Sequence, residues 1–354
     1  MKKVVIQGFK RDGLSSDDIL LTRESKLELK SSFRFSTARG ISEKHQLEID
    51  DTDFLEFVFE DNTTWMGGTD ILHDIFPNAV KKSRAVGSDF EIPMYLETDE
   101  TNRGLLGNIA LKVLNVFTKK AVEDKVINIA ANLEKKMLEN MSGVYAVDTG
   151  FNLSKVSLKN NGNPFLLFIH GTNSSTAGSF SEIQQSELWK NMRQTYGDNI
   201  IALQHETLTK SPIQNVIQLF KELPSGCTLH VITHSRGGLV GDVLARFCNG
   251  NAGFTPKEIA YLEKTKRTSD VANIAALQKI ATGNNIVIEK YIRVACPAYG
   301  TTILSKRLDH FLNISINLIG SVFGPAGNLI AGEFKNLISA AVDTKNDPND
   351  LPGL

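Results

Sequence analysis

The sequence predicts an α/β protein in which the part after residue 143 forms a mostly parallel sheet with flanking helices. Phe165–Ile169 is an uninterrupted apolar run, typical of a strand buried on both faces. Similar runs at 199–204, 228–233 and 286–296 alternate with helical patterns of about ten to fifteen residues. This alternation predicts right-handed β-α-β crossovers and therefore parallel strand pairing.

Two further parts are predicted before this α/β domain of residues 143–354. Residues 1–100 contain strand patterns, of which the Phe-rich segment 53–60 is the clearest, and predict a small β-rich domain. Residues 101–142 carry apolar side chains at three- and four-residue steps, with Lys and Glu between them. That spacing predicts a helical connector with one apolar face.

Local signals place several elements of the predicted α/β domain. Residues 144–147 and 153–158 are expected to form a hairpin, and residues 180–195 a helix. The sequence Ser211-Pro212-Ile213-Gln214 combines a capping box with a proline in the first turn, so a helix is expected to begin there.

Composition excludes several classes of protein. The 354 residues contain 39 Lys+Arg and 40 Asp+Glu, so no basic face for nucleic acid is expected. With 41% hydrophobic and 22% charged residues, a disordered chain is excluded. The three cysteines, Cys227, Cys248 and Cys296, are too far apart for a disulfide framework or a zinc site. The apolar run after Lys3 is too short for a signal peptide, so the predicted location is the cytoplasm.

Ser235 is the predicted nucleophile. An apolar strand pattern leads directly to it, and a helical pattern that begins with Gly237 and Gly238 follows. This arrangement is close to the nucleophile elbow, G-x-S-x-G, in which a sharp turn projects the serine hydroxyl into a cleft. Small residues beside the serine let the strand and helix backbones approach closely. Thr233 replaces the first glycine and adds bulk at the tightest point of the turn.

A glycine-containing loop, His170-Gly171-Thr172-Asn173, follows the strand predicted at 165–169. In serine hydrolases such a loop donates one backbone N–H to the oxyanion, and the residue after the nucleophile donates the other. The predicted oxyanion hole therefore consists of the Thr172 and Arg236 amides, with Gly171 in the same loop. His170 is predicted to order this loop through hydrogen bonds.

The segments 170–176, 233–240 and 295–301 resemble those of α/β-hydrolases of the lipase/esterase kind. More narrowly, they resemble the hydrolase-like domain found beside caspase-like CHAT domains in bacterial multidomain proteins. The resemblance extends from about residue 165 to about residue 306. It implies an α/β-hydrolase-like sheet, Ser235 as nucleophile, and the Thr172 and Arg236 amides as the oxyanion hole.

Three interpretations are open for which residues supply the acid and base that would activate Ser235. In the resembled fold the order is serine, acid, histidine, and His310 is the only histidine after Ser235. Its neighbour Asp309 lies in the same predicted helix, where adjacent side chains point about 100° apart and cannot easily pair. His205, at the end of a predicted strand, is the second candidate. In the third interpretation, this chain lacks the C-terminal strands that carry both groups.

Residues 311–332 contain no charged side chain and are long enough for a membrane span. Three glycines and Pro325 interrupt them, however, so two short apolar helices are predicted in place of an integral span. Such helices would cover the cleft as a lid, or face lipid or a partner.

These observations favour a serine hydrolase that cleaves carboxylic esters through an acyl-enzyme on Ser235, without metal or organic cofactor. The expected substrate is a small-molecule ester or a lipid. The missing base favours an alternative, a non-catalytic hydrolase-like module that binds or regulates a partner protein or a C-terminal domain of a larger protein. Peptidase or acyltransferase chemistry would use the same site.

We expect this chain to hydrolyse short esters such as p-nitrophenyl acetate only slowly, because no histidine is predicted to reach Ser235. His205→Ala and His310→Ala should each leave that slow rate unchanged. If either histidine is the base, wild-type turnover will be substantial, and the corresponding substitution will lower kcat by about 10²–10⁴-fold.

Overall fold

A computed structural model describes most of the chain. The described residues are 2–12, 27–35, 43–61, 63–76, 79, 90–95, 109–119, 126–297, 312–313, 337–338 and 351. Asp309, His310 and most of the apolar segment 311–332 lie outside them. The chain divides into two compact units, one of residues 1–129 and 303–348, the other of residues 130–302 and 349–354.

The first unit is built on a seven-stranded sheet in the order β3-β1-β2-β7-β4-β5, with β6 beside β1. All its strand pairs are antiparallel except β1–β6. Phenylalanine side chains fill much of the core beneath it. Its elements are β1 (Lys2–Arg11), β2 (Leu27–Arg34), β3 (Glu43–Ile49), β4 (Asp53–Phe59), β5 (Thr64–Gly67), α1 (Ile71–Ile75), β6 (Phe90–Glu91) and β7 (Leu111–Lys119).

A buried polar ladder crosses the centre of this sheet. The Ser32 hydroxyl donates to the Asn115 side-chain carbonyl (2.6 Å), and the Asn115 amide donates to Glu56 (2.9 Å). The three residues lie opposite one another on β2, β7 and β4. Because a one-residue slip would leave these buried groups unpaired, the ladder specifies the register of the three strands.

The second unit is built on a six-stranded sheet in the order β13-β12-β10-β11-β8-β9, with apolar cores on both faces. Its strands are β8 (Gly143–Val147), β9 (Leu153–Lys155), β10 (Phe165–Ile169), β11 (Ile200–Gln204), β12 (Thr228–His234) and β13 (Val287–Val294). Its helices are α3 (Thr176–Phe180), a 3₁₀ turn (Ser181–Gln185), α4 (Glu187–Tyr196), α5 (Pro212–Glu222), α6 (Gly237–Ala245), α7 (Pro256–Lys264) and α8 (Thr268–Ala281). Helix α2 (Val126–Met137) precedes them and crosses the boundary between the units.

The prediction of an α/β-hydrolase-like, mostly parallel sheet is wrong. Strands β10 to β13 pair in parallel, but β8 pairs antiparallel with both β11 and β9, so this sheet is mixed. With the antiparallel sheet of the first unit, most of the described strands have antiparallel neighbours. In the second unit, the predicted hairpin of β8 and β9 is the reason: its short turn allows only antiparallel pairing, and the hairpin joins the parallel strands at β11 with β8 running opposite to β11.

The predicted helical connector at 101–142 is wrong in its first half. Strand β7 lies between β2 and β4 in the antiparallel sheet, and Leu114 and Phe117, which face opposite sides of it, are both buried. A strand buried on both faces has apolar residues at consecutive positions, and such a run also contains the spacings expected of a helix. In the second half of the segment, residues Val126–Met137 form helix α2.

Two local predictions are confirmed. Strand β10 has the predicted bounds, and helix α5 begins at the predicted capping box. The Ser211 hydroxyl accepts from the Gln214 N–H (3.3 Å), while the Gln214 side chain accepts from the Ser211 N–H (2.9 Å).

We expect Ser211→Ala to lower the free energy of unfolding by about 1 kcal/mol, because it leaves a helical N–H without its cap. Ser211→Thr keeps an acceptor oxygen and should recover most of this loss. Urea unfolding measures both variants. Equal stability of Ser211→Ala and the wild type would show that the cap contributes nothing.

Candidate active site

Ser235 lies in the turn between β12 and α6, with a left-handed backbone conformation (φ 51°) that non-glycine residues adopt rarely. Its N–H donates to the Val294 carbonyl at the end of β13 (2.9 Å), and its carbonyl accepts from the Gly238 N–H (3.0 Å). The side chain is half-buried. These hydrogen bonds stabilise a strained turn, and such strain is concentrated at functional sites.

Close backbone contact explains the glycine two residues after the serine. A Cβ atom on Gly237 would lie 2.4 Å from the Ile169 carbonyl oxygen and 2.7 Å from that of His170. Both atoms belong to the backbone at the end of β10 and cannot rotate away. Any side chain at position 237 would therefore force α6 away from the sheet.

Thr233 occupies the first glycine position of the predicted motif, and α6 makes room for it. Thr233 is fully buried, and its hydroxyl donates to the Ile292 carbonyl (3.4 Å) and lies 3.3 Å from Cys296 Sγ. A Cβ on Gly241 would lie 2.9 Å from the Thr233 methyl group. A glycine one turn into the helix thus accommodates the threonine.

The loop after β10 lies directly against Ser235. Ile169 and Thr233 are register partners on β10 and β12, so the two strands end at the same level. A Cβ on Gly171 would lie 2.8 Å from the Ser235 Cβ. Within the described part of the chain, the Thr172 amide donates to no acceptor. The structure therefore places Gly171 against Ser235, with Thr172 and Arg236 as the next residues along the chain.

A buried carboxylate supports this loop from a distance. Glu134 on α2 accepts from the N–H groups of Thr207, Leu208 (2.6 Å) and Thr209 (3.1 Å). The Thr207 hydroxyl in turn accepts from the Asn173 N–H (3.0 Å). Burial raises the pKa of Glu134, while its hydrogen bonds act in the opposite direction. The loop after β11 thus connects Glu134 to the predicted oxyanion loop.

Arg236 extends its side chain beneath the site to the same loop. It is almost fully buried, and its guanidinium donates to the Lys210 carbonyl (2.8 Å). Desolvation lowers the pKa of Arg236 to about 10, and the Glu134 carboxylate partly opposes that shift. Arg236 remains a cation at neutral pH and attaches the serine turn to the loop after β11.

His170 and His205 form a buried pair beside the loop after β10, with ring centroids 4.1 Å apart and the ring planes tilted by 32°. The His205 N–H donates to His170 Nε2 (3.2 Å), so Nε2 of His170 carries no proton. The His170 Nδ1–H then donates to the Gly171 carbonyl (3.0 Å). These bonds define one neutral tautomer and order the loop beside Ser235.

Desolvation keeps both imidazoles neutral. It lowers the pKa of His170 to about 4 and the pKa of His205 well below its usual range. His205 contacts His170 and the Leu203 carbonyl, and its buried Nε2 has no hydrogen-bond partner among the described residues. The predicted candidate base His205 is therefore placed against His170, and no hydrogen bond joins it to Ser235.

The Ser235 hydroxyl forms no hydrogen bond to any residue that the structure describes. The other candidate acid and base, Asp309 and His310, lie outside those residues. No cluster of three or more His, Cys, Asp or Glu side chains suited to a metal ion occurs in the described ranges. In the same ranges, no helix combines the length and the apolar character that a membrane crossing needs.

Two supporting residues have no signal in the sequence. Glu134 belongs to the polar side of a helical pattern, where the simplest expectation is exposure to solvent, yet it is only 3% exposed. Thr207 follows strand β11 and therefore lies at the sheet edge where parallel strands end, but nothing local distinguishes it from other loop threonines.

A known protein family matches part of the chain. A family described as a domain of unknown function (DUF7379) matches residues 146–280, which is less than half of the chain. The matched region contains Gly171, Thr172, His205 and Ser235, whereas Glu134 lies before it. No curated protein and no solved structure matches the chain.

The buried histidine pair predicts a loss of stability in mild acid. The pKa values of both histidines are lower in the folded protein than the ordinary value of 6.5. Below pH 6.5 the unfolded chain therefore binds more protons than the folded protein, and the free energy of unfolding falls as the pH falls. For His170 alone the loss between pH 6.5 and pH 4 is about 3 kcal/mol, at 1.36 kcal/mol for each unit of pKa shift.

Urea unfolding at several pH values between 7.5 and 4.5 measures this loss. His170→Gln removes one titrating group and should flatten the dependence of stability on pH, even though it lowers stability at pH 7.5. Ser154→Ala, at an exposed serine of the same unit, removes no titrating group and is the control, which should leave the slope unchanged. An identical slope in His170→Gln and wild type would contradict the assignment.

Proposed function

We propose that this protein is a serine hydrolase that cleaves carboxylic esters through an acyl-enzyme on Ser235. The observation that carries the proposal is the position of Ser235, in a left-handed turn between β12 and α6 with the backbone of Gly171 against it. In the proposed site, the Ser235 hydroxyl faces the backbone amides of Thr172 and Arg236, which belong to two neighbouring loops. That combination is what acyl transfer by serine requires.

In the proposed reaction, the Ser235 oxygen attacks the ester carbonyl, and the carbonyl oxygen becomes negatively charged. The Thr172 and Arg236 amides would donate to this oxyanion from two sides. The Arg236 amide is also at the N-terminus of α6, where the helix dipole favours negative charge. Loss of the alcohol leaves an acyl-enzyme, and water then releases the acid.

The buried groups behind the loop support the proposal because they make the amides rigid. The neutral His170 fixes the Gly171 carbonyl, and Thr207, held by Glu134, fixes the Asn173 N–H. Donors that are positioned before the reaction need no reorganisation when charge develops, which is the main source of their catalytic effect. A neutral His170 also avoids placing a second full positive charge beside Arg236.

A second function, a hydrolase-like module that binds a partner without catalysis, is favoured by one observation. Within the described residues, the Ser235 hydroxyl has no hydrogen-bond partner, so no described histidine is positioned to take its proton. In the proposed enzyme the base is none of the described histidines, which leaves His310 with Asp309 as the candidate pair in this chain. The reactivity of Ser235 separates the two functions.

The proposed substrates are small-molecule esters or lipids, and the proposed compartment is the cytoplasm. All three cysteines are free thiols, two of them buried, which suits a reducing environment. Burial raises the pKa of Cys227 to about 11, so this thiol is uncharged and unreactive at neutral pH.

Labelling with a fluorophosphonate probe tests the proposed function. We expect wild type to be labelled on Ser235 and Ser235→Ala not to be labelled, since only an activated serine displaces fluoride from this probe. Ser154→Ala, at an exposed serine on β9, is the matched control and should be labelled like wild type. Peptide mass spectrometry identifies the labelled residue.

A folded wild-type protein that is not labelled, or a label that persists in Ser235→Ala, would contradict the enzyme. The first outcome would favour the binding module. Circular dichroism of each variant confirms that the comparison is made between folded proteins.

A further inference from the structure

A second hydrogen-bonded chain of chemically active side chains lies in the same unit, away from Ser235. It consists of Tyr196 at the end of α4, His230 on β12 and Glu289 on β13. The Tyr196 hydroxyl lies 2.6 Å from His230 Nδ1, and His230 Nε2 lies 2.8 Å from a Glu289 carboxylate oxygen. His230 and Ser235 are five residues apart on an extended strand, or about 16 Å at 3.3 Å per residue.

The chemistry of the three groups sets the direction of the hydrogen bonds. Glu289 is held in its ionised form because the hydrogen bond from His230 lowers its pKa, so the carboxylate accepts and His230 Nε2 carries the proton. With the proton on Nε2, the uncharged form of the imidazole has a lone pair on Nδ1, to which the Tyr196 O–H donates. This is the order of nucleophile, base and orienting carboxylate.

A β-bulge places the carboxylate. Strand β12 pairs with β13 so that Leu229 faces Ile288 and His230 faces Lys290, which leaves Glu289 as an extra residue without a partner. A bulge of this kind redirects a side chain, and bulges are frequent beside active sites. The Glu289 side chain is 59% exposed and that of His230 is 9% exposed, so the base is enclosed while the carboxylate faces solvent.

Tyr196 is positioned to react only with help from its base. Its ring is half-buried against the apolar core next to α4 and stands perpendicular to the His230 ring. Burial and the charge of Glu289 raise the pKa of Tyr196, so the phenol is protonated at neutral pH. Transfer of this proton to His230 Nδ1 is therefore required for the oxygen to act as a nucleophile.

We propose that Tyr196 is a second nucleophilic site, which accepts a tetrahedral phosphorus or sulfur group from an activated phosphoryl or sulfonyl donor. The phenol oxygen forms the new bond to phosphorus or sulfur, the bond to the leaving group breaks, and the leaving group departs with the electron pair. The phenol proton moves to His230 Nδ1, and Glu289 stabilises the resulting imidazolium. This proposal does not depend on the function of Ser235.

Benzenesulfonyl fluoride is the probe, used on the full chain carrying Ser235→Ala so that the serine cannot consume it. Tyr261 is the internal control, since it is 65% exposed and its hydroxyl has no hydrogen-bond partner among the described residues. We expect Tyr196 to be sulfonylated at least about tenfold faster than Tyr261, a modest part of the 10²–10⁴-fold effect of a positioned base. Peptide mass spectrometry at timed intervals gives both rates.

Two variants separate base assistance from simple exposure. His230→Asn keeps an acceptor near the Nδ1 position but no base, and should bring the Tyr196 rate down to that of Tyr261. Glu289→Gln changes an exposed side chain, keeps the fold, and should slow labelling several-fold. Equal rates at Tyr196 and Tyr261, or fast labelling of Tyr196 that persists in Glu289→Gln, would overturn the proposal and leave the three residues as a structural link between α4 and the sheet.

Discussion

Contact between backbones at the ends of β10 and β12 is the constraint on which the candidate site depends. Helix α6 passes so close to the Ile169 and His170 carbonyls that position 237 accepts only glycine. The same proximity places Gly171 against Ser235. Because these contacts involve main-chain atoms, they determine where the serine and the neighbouring amides lie before any side chain is considered.

Two buried ionisable side chains, Glu134 and Arg236, also support the candidate site. Glu134 and Arg236 are both nearly inaccessible to solvent, and each is hydrogen-bonded to the loop after β11. Burying either one alone would be costly, because an unpaired charge loses its hydration without compensation. Their joint burial, beside two histidines kept neutral by desolvation, connects three loops into one rigid assembly behind the serine.

The two proposed nucleophiles share strand β12 but differ in their surroundings. Ser235 follows the end of the strand, where the loops of a parallel arrangement meet. Tyr196 approaches the strand's other half from α4, and its base and carboxylate are supplied by two adjacent parallel strands. Parallel pairing of β12 with β13 therefore contributes to both sites: β13 supplies the Val294 carbonyl that accepts from the Ser235 N–H, and the Glu289 carboxylate beside His230.

The sequence alone determined the features that depend on a few neighbouring residues. These are strand β10, the capping box of α5, and the placement of Gly171, Thr172 and Arg236 in loops that could meet Ser235. Apolar runs, caps and turn residues act through local sterics and hydrogen bonds, so their effect is visible in the order of residues.

Only the tertiary structure decided features that depend on segments far apart in the chain. Strand β7 has the apolar spacing of a helix but is buried between two strands. Glu134 has the sequence pattern of a surface residue but lies under a loop. Strand β8 pairs antiparallel with β11, although strands β10 to β13 pair in parallel. The contact between the His170 and His205 rings likewise requires two strands that are distant in sequence to be adjacent. The same is true of the bulge that directs Glu289 to His230. Burial and pairing are properties of the packed chain, and a local pattern does not contain them.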